Sequence, residues 1–180
     1  MKHSITLSSG EIARVREAQK SDAASLITYV NQVGGESDFL TFGGGEFKKT
    51  VEEEAAIVEE HRITLNRIFI IAEVDGKIAG ILNVNAGAKS RLQHIGTFGI
   101  TVLKKYWGEG IGSLLMEAMI DWAKANPIIR KINLEVLTDN PKAVALYKKF
   151  GFEIEGTIRR SLFLNGKFSD SYAMGLLIDD

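Results

Sequence analysis

Apolar residues recur along this chain in two rhythms. The clearest helical one is Ile111, Leu114, Leu115, Ala118, Met119 and Trp122, at i, i+3, i+4, i+7, i+8 and i+11. That spacing winds one stripe onto a 3.6-residue period and predicts a long amphipathic helix with one face in the core. A helix is also predicted from Ser21, as side-chain N-cap, to about Val33, with Gly34-Gly35 ending it. Thr50 opens another, Glu53 completing a capping box and Val51, Ala55 and Val58 giving its stripe. Asn140-Pro141 starts a short helix that Gly151 stops.

The second rhythm is that of strands. His3–Leu7 and Glu11–Glu17 flank the turn Ser8-Ser9-Gly10, and Arg67–Val74 and Lys77–Asn85 flank Asp75-Gly76, a type I′ hairpin signal. Leu92–Leu103 and Lys131–Leu137 read as single strands, and Glu153 to Ile178 as a hairpin about Asn165-Gly166. The order is βαα, a run of strands, βαβα and a closing hairpin. It predicts an α/β (α+β) fold, a mixed sheet with helices on both faces.

Composition narrows the function. A length of 180 residues suits one domain, 1–180, with the N-terminal hairpin of about 3–17 as part of it. A formal net charge of −1 offers no broad basic face to nucleic acid or an anionic membrane. The absence of cysteine excludes disulfides and a thiol nucleophile. The run Ile68 to Ala72 is far short of the ~20 apolar residues of a membrane span, and Met1-Lys2-His3-Ser4 opens no signal core. A soluble, cytoplasmic protein is expected. His3 and His61 stand alone without ligand spacing, so no metal is expected.

The most informative segment runs from Val102 to Ser113, where a strand enters Gly108-x-Gly110-x-Gly112 and the long helix follows at once. Glycines let successive backbone N–H groups turn toward one anion, and the helix N-terminus adds free N–H groups and the positive end of its dipole. Such a turn suits a pyrophosphate. A Walker P-loop would need a terminal Gly-Lys-Ser/Thr, which is missing. A dinucleotide fingerprint would need glycine at position 113, where serine stands, and an early βαβ unit. By itself the glycine pattern fits a tight turn equally well.

Val102 through Gly112 resembles the coenzyme A motif of the GNAT superfamily of N-acetyltransferases, Gln/Arg-x-x-Gly-x-Gly/Ala after a strand. The segment Asp139-Asn-Pro-Lys-Ala-Val-Ala-Leu-Tyr-Lys-Lys-Phe-Gly-Phe152 resembles that superfamily's second signature, Asn-x-x-Ala-x-x-Leu-Tyr-x-x-x-Gly-Phe. Together, in this order, the two motifs are far more specific than either alone. The resemblance implies a GNAT-like, mostly antiparallel sheet and acetyl-CoA as co-substrate. It implies cofactor contacts at Ile100, Thr101, Val102, Trp107, Gly108, Glu109, Gly110, Ile111, Gly112, Ser113, Asn140, Ala143 and Tyr147. Trp107 departs from the usual Gln or Arg. The missing charge is then supplied by Lys104 or Lys105, or those lysines are simply a solvated strand end.

The resemblance further implies that pantetheine pairs with the backbone near Ile100–Val102, where an N–H polarises the thioester carbonyl. Tyr147 matches the family's general acid; spacing alone favours a core position beside Leu146 and Phe150, and the surrounding motif reverses that preference. Asn140 both caps its helix and, by the resemblance, lies beside the pantetheine arm. For the general base the sequence leaves His94, Glu135, Glu73 or a water chain open. The acceptor pocket is expected from the loop after the first helix (Glu36, Asp38, Phe39, Phe42 and Glu46) and from Arg159, Arg160, Phe163 and Tyr172 in the tail. Acidic groups favour a cationic amine, arginines an acceptor with its own carboxylate. The reaction expected is direct acetyl transfer to a small-molecule primary amine, an amino acid or polyamine-like. A protein N-terminal acetyltransferase, a CoA-binding module without catalysis and a dinucleotide oxidoreductase are the alternatives, and the closing hairpin is the natural place for a homodimer.

Overall fold

The structure is a computed structural model that describes residues 3–178. Residues 1–2 and 179–180 of the expected 1–180 domain lie outside the described residues. The strands are β1 (His3–Thr6), β2 (Ile12–Glu17), β3 (Ile68–Val74), β4 (Lys77–Ala86), β5 (Ile95–Val102), β6 (Lys131–Leu137), β7 (Glu153–Leu164) and β8 (Lys167–Leu177). The helices are α1 (Ala23–Gly34), α2 (Val51–Ile63), α3 (Ile111–Ala125) and α4 (Pro141–Lys149). Among the described residues the strands form one sheet in the order β1-β2-β3-β4-β5-β6-β8-β7. Neighbours run antiparallel except β5 and β6, which are parallel.

Two hairpins form as their turn residues demand. Asp75 and Gly76 have φ of 48° and 71°, and Asn165 and Gly166 have 51° and 78°. Positive φ at both central residues is the type I′ signature, and it matches the twist of the flanking strands.

Helices cover both faces of the sheet. α3 packs across β1 to β5, while α1 and α2 lie over β3 and β4 on the other side. The predicted stripe of α3 is the buried one: Ile111, Leu114, Leu115, Ala118 and Met119 are buried, with Trp122 packed at the edge. They meet Ile70, Leu82, Val84 and Ile132 from the sheet, and α4 joins the same cluster through Tyr147, Ala143 and Leu146.

The start of α1, the buried face of α2 and the start of β5 differ most from the sequence expectation. Ser21 does not cap α1; it lies inside a short 3-10 turn, Lys20–Asp22, and Asp22 is the N-cap. Arg16 fixes that entry, its guanidinium bonding Asp22 at 2.7 and 2.8 Å and Glu73 at 2.6 and 3.0 Å. In α2 the capping box of Thr50 and Glu53 forms, but the buried face is Glu54, Val58 and His61, and Val51 is exposed. β5 starts at Ile95 rather than Leu92, because residues 89–95 turn through bonds from Leu92 N to Lys89 O and Ile95 N to Leu92 O.

Gly34 closes α1 against its own loop. A Cβ there would meet the Gly43 carbonyl oxygen at 2.8 Å, so only glycine lets residues 35–45 fold back over the helix end. That fold-back positions Phe39 and Phe42 for the site described below. Leu115 is fully buried between α3 and the sheet. Leu115→Ala should therefore lower unfolding stability by about 2–5 kcal/mol, read as a reduced denaturation midpoint with an unchanged m-value.

Candidate active site

The site begins with a fault in the sheet. β5 and β6 pair only at Ile95–Lys131, Gly96–Ile132 and Thr97–Asn133. Beyond these, β5 stays bound to β4 as far as Gly80–Val102, and β6 stays bound to β8 as far as Leu137–Ser171. The two strands therefore part after Thr97 and leave a wedge.

The direction of the backbone groups in that wedge follows from one bond. Leu103 N–H donates to the Ala79 carbonyl at 2.9 Å. In an antiparallel ladder alternate residues turn both their groups to the same neighbour, so Thr101 and Gly99 also face β4. Ile100 and Val102 then point their N–H and C=O away from β4, into the wedge. The Val102 carbonyl is already engaged, accepting from Trp107 Nε1 at 2.8 Å. The Val102 N–H and both groups of Ile100 stay open to a guest.

Past Val102 the chain enters the glycine turn. Gly108 and Gly110 have φ of 83° and 90°, the left-handed region that costs glycine nothing. Gly110 is the N-cap of α3, and the first helical bond runs from Leu114 N to Gly110 O. The N–H groups of Ile111, Gly112 and Ser113 thus lie outside the helix ladder, at its positive end. The β1–β2 turn braces this cradle: Ser8 donates from N and Oγ to the Glu109 carboxylate at 2.9 and 2.6 Å. Those two bonds hold the Glu109 carboxyl below its ordinary pKa.

Wedge and turn open into one cleft of about 1010 Å³. Tyr147 from α4 lines it, its ring edge-on to Phe98 of β5 at a 5.8 Å centroid distance and to Phe152 at 6.2 Å. Burial pushes its phenol up to about 12. No hydrogen bond ties that hydroxyl to the described residues. It is a neutral phenol in the cleft wall. Asn140 also lines the cleft and caps α4, its Oδ1 accepting from Ala143 N at 3.2 Å. Tyr147 thus packs in the core and lines the cleft, and Asn140 caps α4 and lines the cleft.

The structure sorts the remaining expected residues. Ile100, Thr101, Val102, Trp107, Gly108, Gly110, Ile111, Gly112 and Ala143 line the cleft. Thr101 does so with its backbone turned to β4 and its Oγ1 on the Tyr29 hydroxyl at 2.9 Å. Glu109 and Ser113 are not in the wall, and the Glu109 side chain serves the hairpin instead. Lys104 and Lys105 are exposed outside the cleft, Lys105 sitting over the Tyr106 ring.

Among the expected bases, Glu135 on β6 faces the cleft. His94 does not: it is exposed in the turn before β5, about 20 Å of strand from Ile100. Glu73 is held by Arg16. Of the acceptor residues, Phe39, Phe42 and Glu46 line the cleft, whereas Glu36 and Asp38 do not. Glu36 ties the loop to the strand end, accepting from Lys104 N at 2.6 Å. The tail contributes Ser161, Leu162 and Ser171 in place of Arg159, Arg160, Phe163 and Tyr172. The geometry of the hairpin explains this, since Arg160 stacks on Phe168 and its N–H bonds Asp170 at 2.8 Å. His3, read as isolated, meets Asp121 at 3.0 Å. Sequence reasoning missed Glu54, Lys49, Asn83 and Lys142, all in the wall. For Glu54 the available signal was its i, i+4, i+7 relation to Val58 and His61.

A split parallel pair opening onto a glycine turn and helix N-terminus, with a buried tyrosine beside it, defines an acyltransferase type of site. Residues 38–152, well over half the chain, match the acetyltransferase (GNAT) family, and the chain belongs to that family. Among solved structures, a GNAT-family acetyltransferase from Streptococcus pneumoniae superimposes with a TM-score of 0.90 at 42% identity, covering 93% of this chain and 99% of that one. A putative acetyltransferase from Salmonella typhimurium, solved with acetyl-CoA, has the same fold at a TM-score of 0.81 and 17% identity, over 93% and 95% of the two chains. An L-amino acid N-acetyltransferase of Escherichia coli K12 is 36% identical over 58% of this chain, an alignment that spans 65% of that relative. A spermidine N(1)-acetyltransferase of the same organism is 22% identical over 92% of this chain and 86% of its own.

The raised phenol of Tyr147 makes a pH prediction. Its folded pKa lies above the unfolded value near 10, so the unfolded chain loses this proton first as pH rises. The stability is complete below about pH 10 and drains away between about 10 and 12. The fall in Tm across that window should be shallower in Tyr147→Phe, as read by thermal melts at stepped pH; an identical slope would contradict the assignment.

Proposed function

We propose that this protein transfers the acetyl group of acetyl-CoA to the primary amine of a small molecule by direct attack in a ternary complex. In this reading one domain does the whole reaction, in the cytoplasm. The observation that carries it is the meeting of the β5–β6 wedge with the α3 cradle in a single cleft. The cradle N–H groups would hold the diphosphate, and Ile100 and Val102 would take the amide-bearing arm as a substitute strand. Fit to that arm is chemical as well as spatial: an amide offers the donor and acceptor that the open backbone lacks. When bound, acetyl-CoA supplies an activated acetyl carbon on sulfur.

The chain's own groups then have distinct tasks. An N–H of the wedge polarises the acetyl carbonyl as charge develops on its oxygen. Glu135 takes the proton that the acceptor's nitrogen must lose, directly or through water. A nitrogen–carbon bond forms, the carbon–sulfur bond breaks, and Tyr147 gives its proton to the departing sulfur. With no cysteine in the chain, no thiol-bound acetyl enzyme enters the scheme.

Amino acid and spermidine acetyltransferases among the relatives support a small-amine acceptor, and the N-alpha-acetyltransferases beside them make a protein N-terminus the second reading. The aromatic and apolar wall formed by Phe39, Phe42 and Phe47 supports an acceptor with an apolar body. The exposed outer strand β7, bearing Ile154, Ile158 and Phe163, is our proposed homodimer edge.

Two variants test this. Tyr147→Phe should lower kcat by roughly 100-fold or more while acetyl-CoA affinity stays nearly constant, measured by free-thiol release and calorimetry. Gly110→Ala should do the reverse, weakening CoA binding at least tenfold. Alanine at φ 90° is strained and its Cβ would sit 3.2 Å from Ile5. Unchanged turnover in the first variant would remove Tyr147 from the mechanism, and unchanged affinity in the second would remove the cradle.

A further inference from the structure

The α1–α2 wall of the cleft holds a carboxylate that the scheme above leaves unused. Glu54 lies in the first turn of α2 and only 3% of it is exposed. Carboxylates buried that deeply are almost always paired. Its carboxylate has neither a hydrogen bond nor an ion pair among the described residues, whereas its backbone N–H bonds the Thr50 carbonyl at 3.0 Å. Burial accordingly raises its pKa, and Lys49, exposed at the mouth, offsets only part of that. The open space it meets is the cleft.

The fold forces this position. Glu54, Val58 and His61 are i, i+4 and i+7 on one face of α2. Val58 packs with Phe69 and Ile71 of β3. His61 lies edge-on to Phe69 at 5.6 Å, and its Nδ1 bonds the Ile57 carbonyl at 2.8 Å. These two anchors set the rotation of the helix, and the capping box sets its start. Glu54 is then left looking into the cleft among Ile57, Phe69 and Ile81, also in the wall.

Its distance from the chemistry matters. Glu54 hangs from the helix layer on one face of the sheet, whereas Tyr147 belongs to the cluster on the opposite face. The reacting nitrogen must lie in the plane of the sheet, beside Ile100. The helices form a separate layer packed on the sheet, so Glu54 reaches a group several bonds away from that nitrogen.

We propose that Glu54 reads a second positive charge on the acceptor, which is a diamine or polyamine with an apolar spacer between its ammonium groups. This rests on the acetyl-transfer reading and deepens it. The apolar wall favours the spacer, and the distal ammonium removes the cost of the unpaired carboxylate. The other acids of the cleft are placed differently: Glu46 is taken up by Gly43 N–H at 3.0 Å, and Glu135 lies across on β6.

The test crosses a substrate deletion with a side-chain deletion. Wild type and Glu54→Gln are assayed by thiol release with a diamine and with the alkyl monoamine of equal length. Wild type should prefer the diamine in kcat/KM by roughly tenfold or more, mostly through KM. Glu54→Gln should lose that preference, keep its monoamine rate and bind CoA normally. Its Tm should equal or exceed that of wild type at neutral pH, because an unpaired buried charge is gone. Equal use of both amines by wild type, a preference that survives in Glu54→Gln, or a lower Tm would each overturn the proposal. Monoamine turnover without diamine preference would sink the role of Glu54 alone; no turnover with any amine would sink acetyl transfer as well.

Discussion

A sheet that stops pairing in its own middle is a costly structure, because peptide groups without partners lose what water gave them. Here that constraint organises everything else. β5 is held by β4 to its last residue and β6 by β8 to its last residue, yet the two share only three pairs. The gap cannot close, since each strand is already locked on its outer side. It is a strand-wide gap whose donors and acceptor are fixed in place by the flanking strands.

The surroundings make the gap selective. Trp107 takes the Val102 carbonyl, so a guest has fewer partners than a full strand would meet, and the indole forms part of the wall. Where the motif that the sequence resembles has Gln or Arg, this chain has a tryptophan that fixes the strand end. Beyond it, the cradle depends on main-chain geometry: two glycines at positive φ, a helix N-terminus, and a hairpin locked to Glu109 by Ser8. The opposite wall is built by α1, α2 and the folded-back loop, and there the side chains are mostly apolar. One sheet thus separates a polar, backbone-lined approach from an aromatic one, and the two meet only at the wedge.

Much of this was legible in the chain because it is locally encoded. The α3 stripe, the two Asx-Gly turns, the Thr50 capping box and the Asn140-Pro141 start are each decided within a few residues, and each forms as read. The glycine turn was equally plain. What escaped was set at long range. Ser21 looked like a cap until Arg16, from β2, gathered Asp22 and Glu73 and moved the helix start. His94 looked near the chemistry in sequence, but strand length carries it away from the wedge. Glu36 and Asp38 share a loop with Phe39, yet only the latter turns inward, because Glu36 is tied to Lys104. Glu54 was hidden by the assumption that the apolar positions of α2 define its buried face. The wedge itself depends on where two strands some 30 residues apart stop pairing, which no local pattern states.

The most direct measurement is amide hydrogen exchange along β5, with and without coenzyme A, resolved by residue. The Ile100 and Val102 amides should exchange quickly in the free protein and slow markedly on addition, while Thr101, already bonded to β4, changes little. Protection that fell on Thr101 instead, or was absent from all three, would contradict the claim that a guest strand completes this sheet.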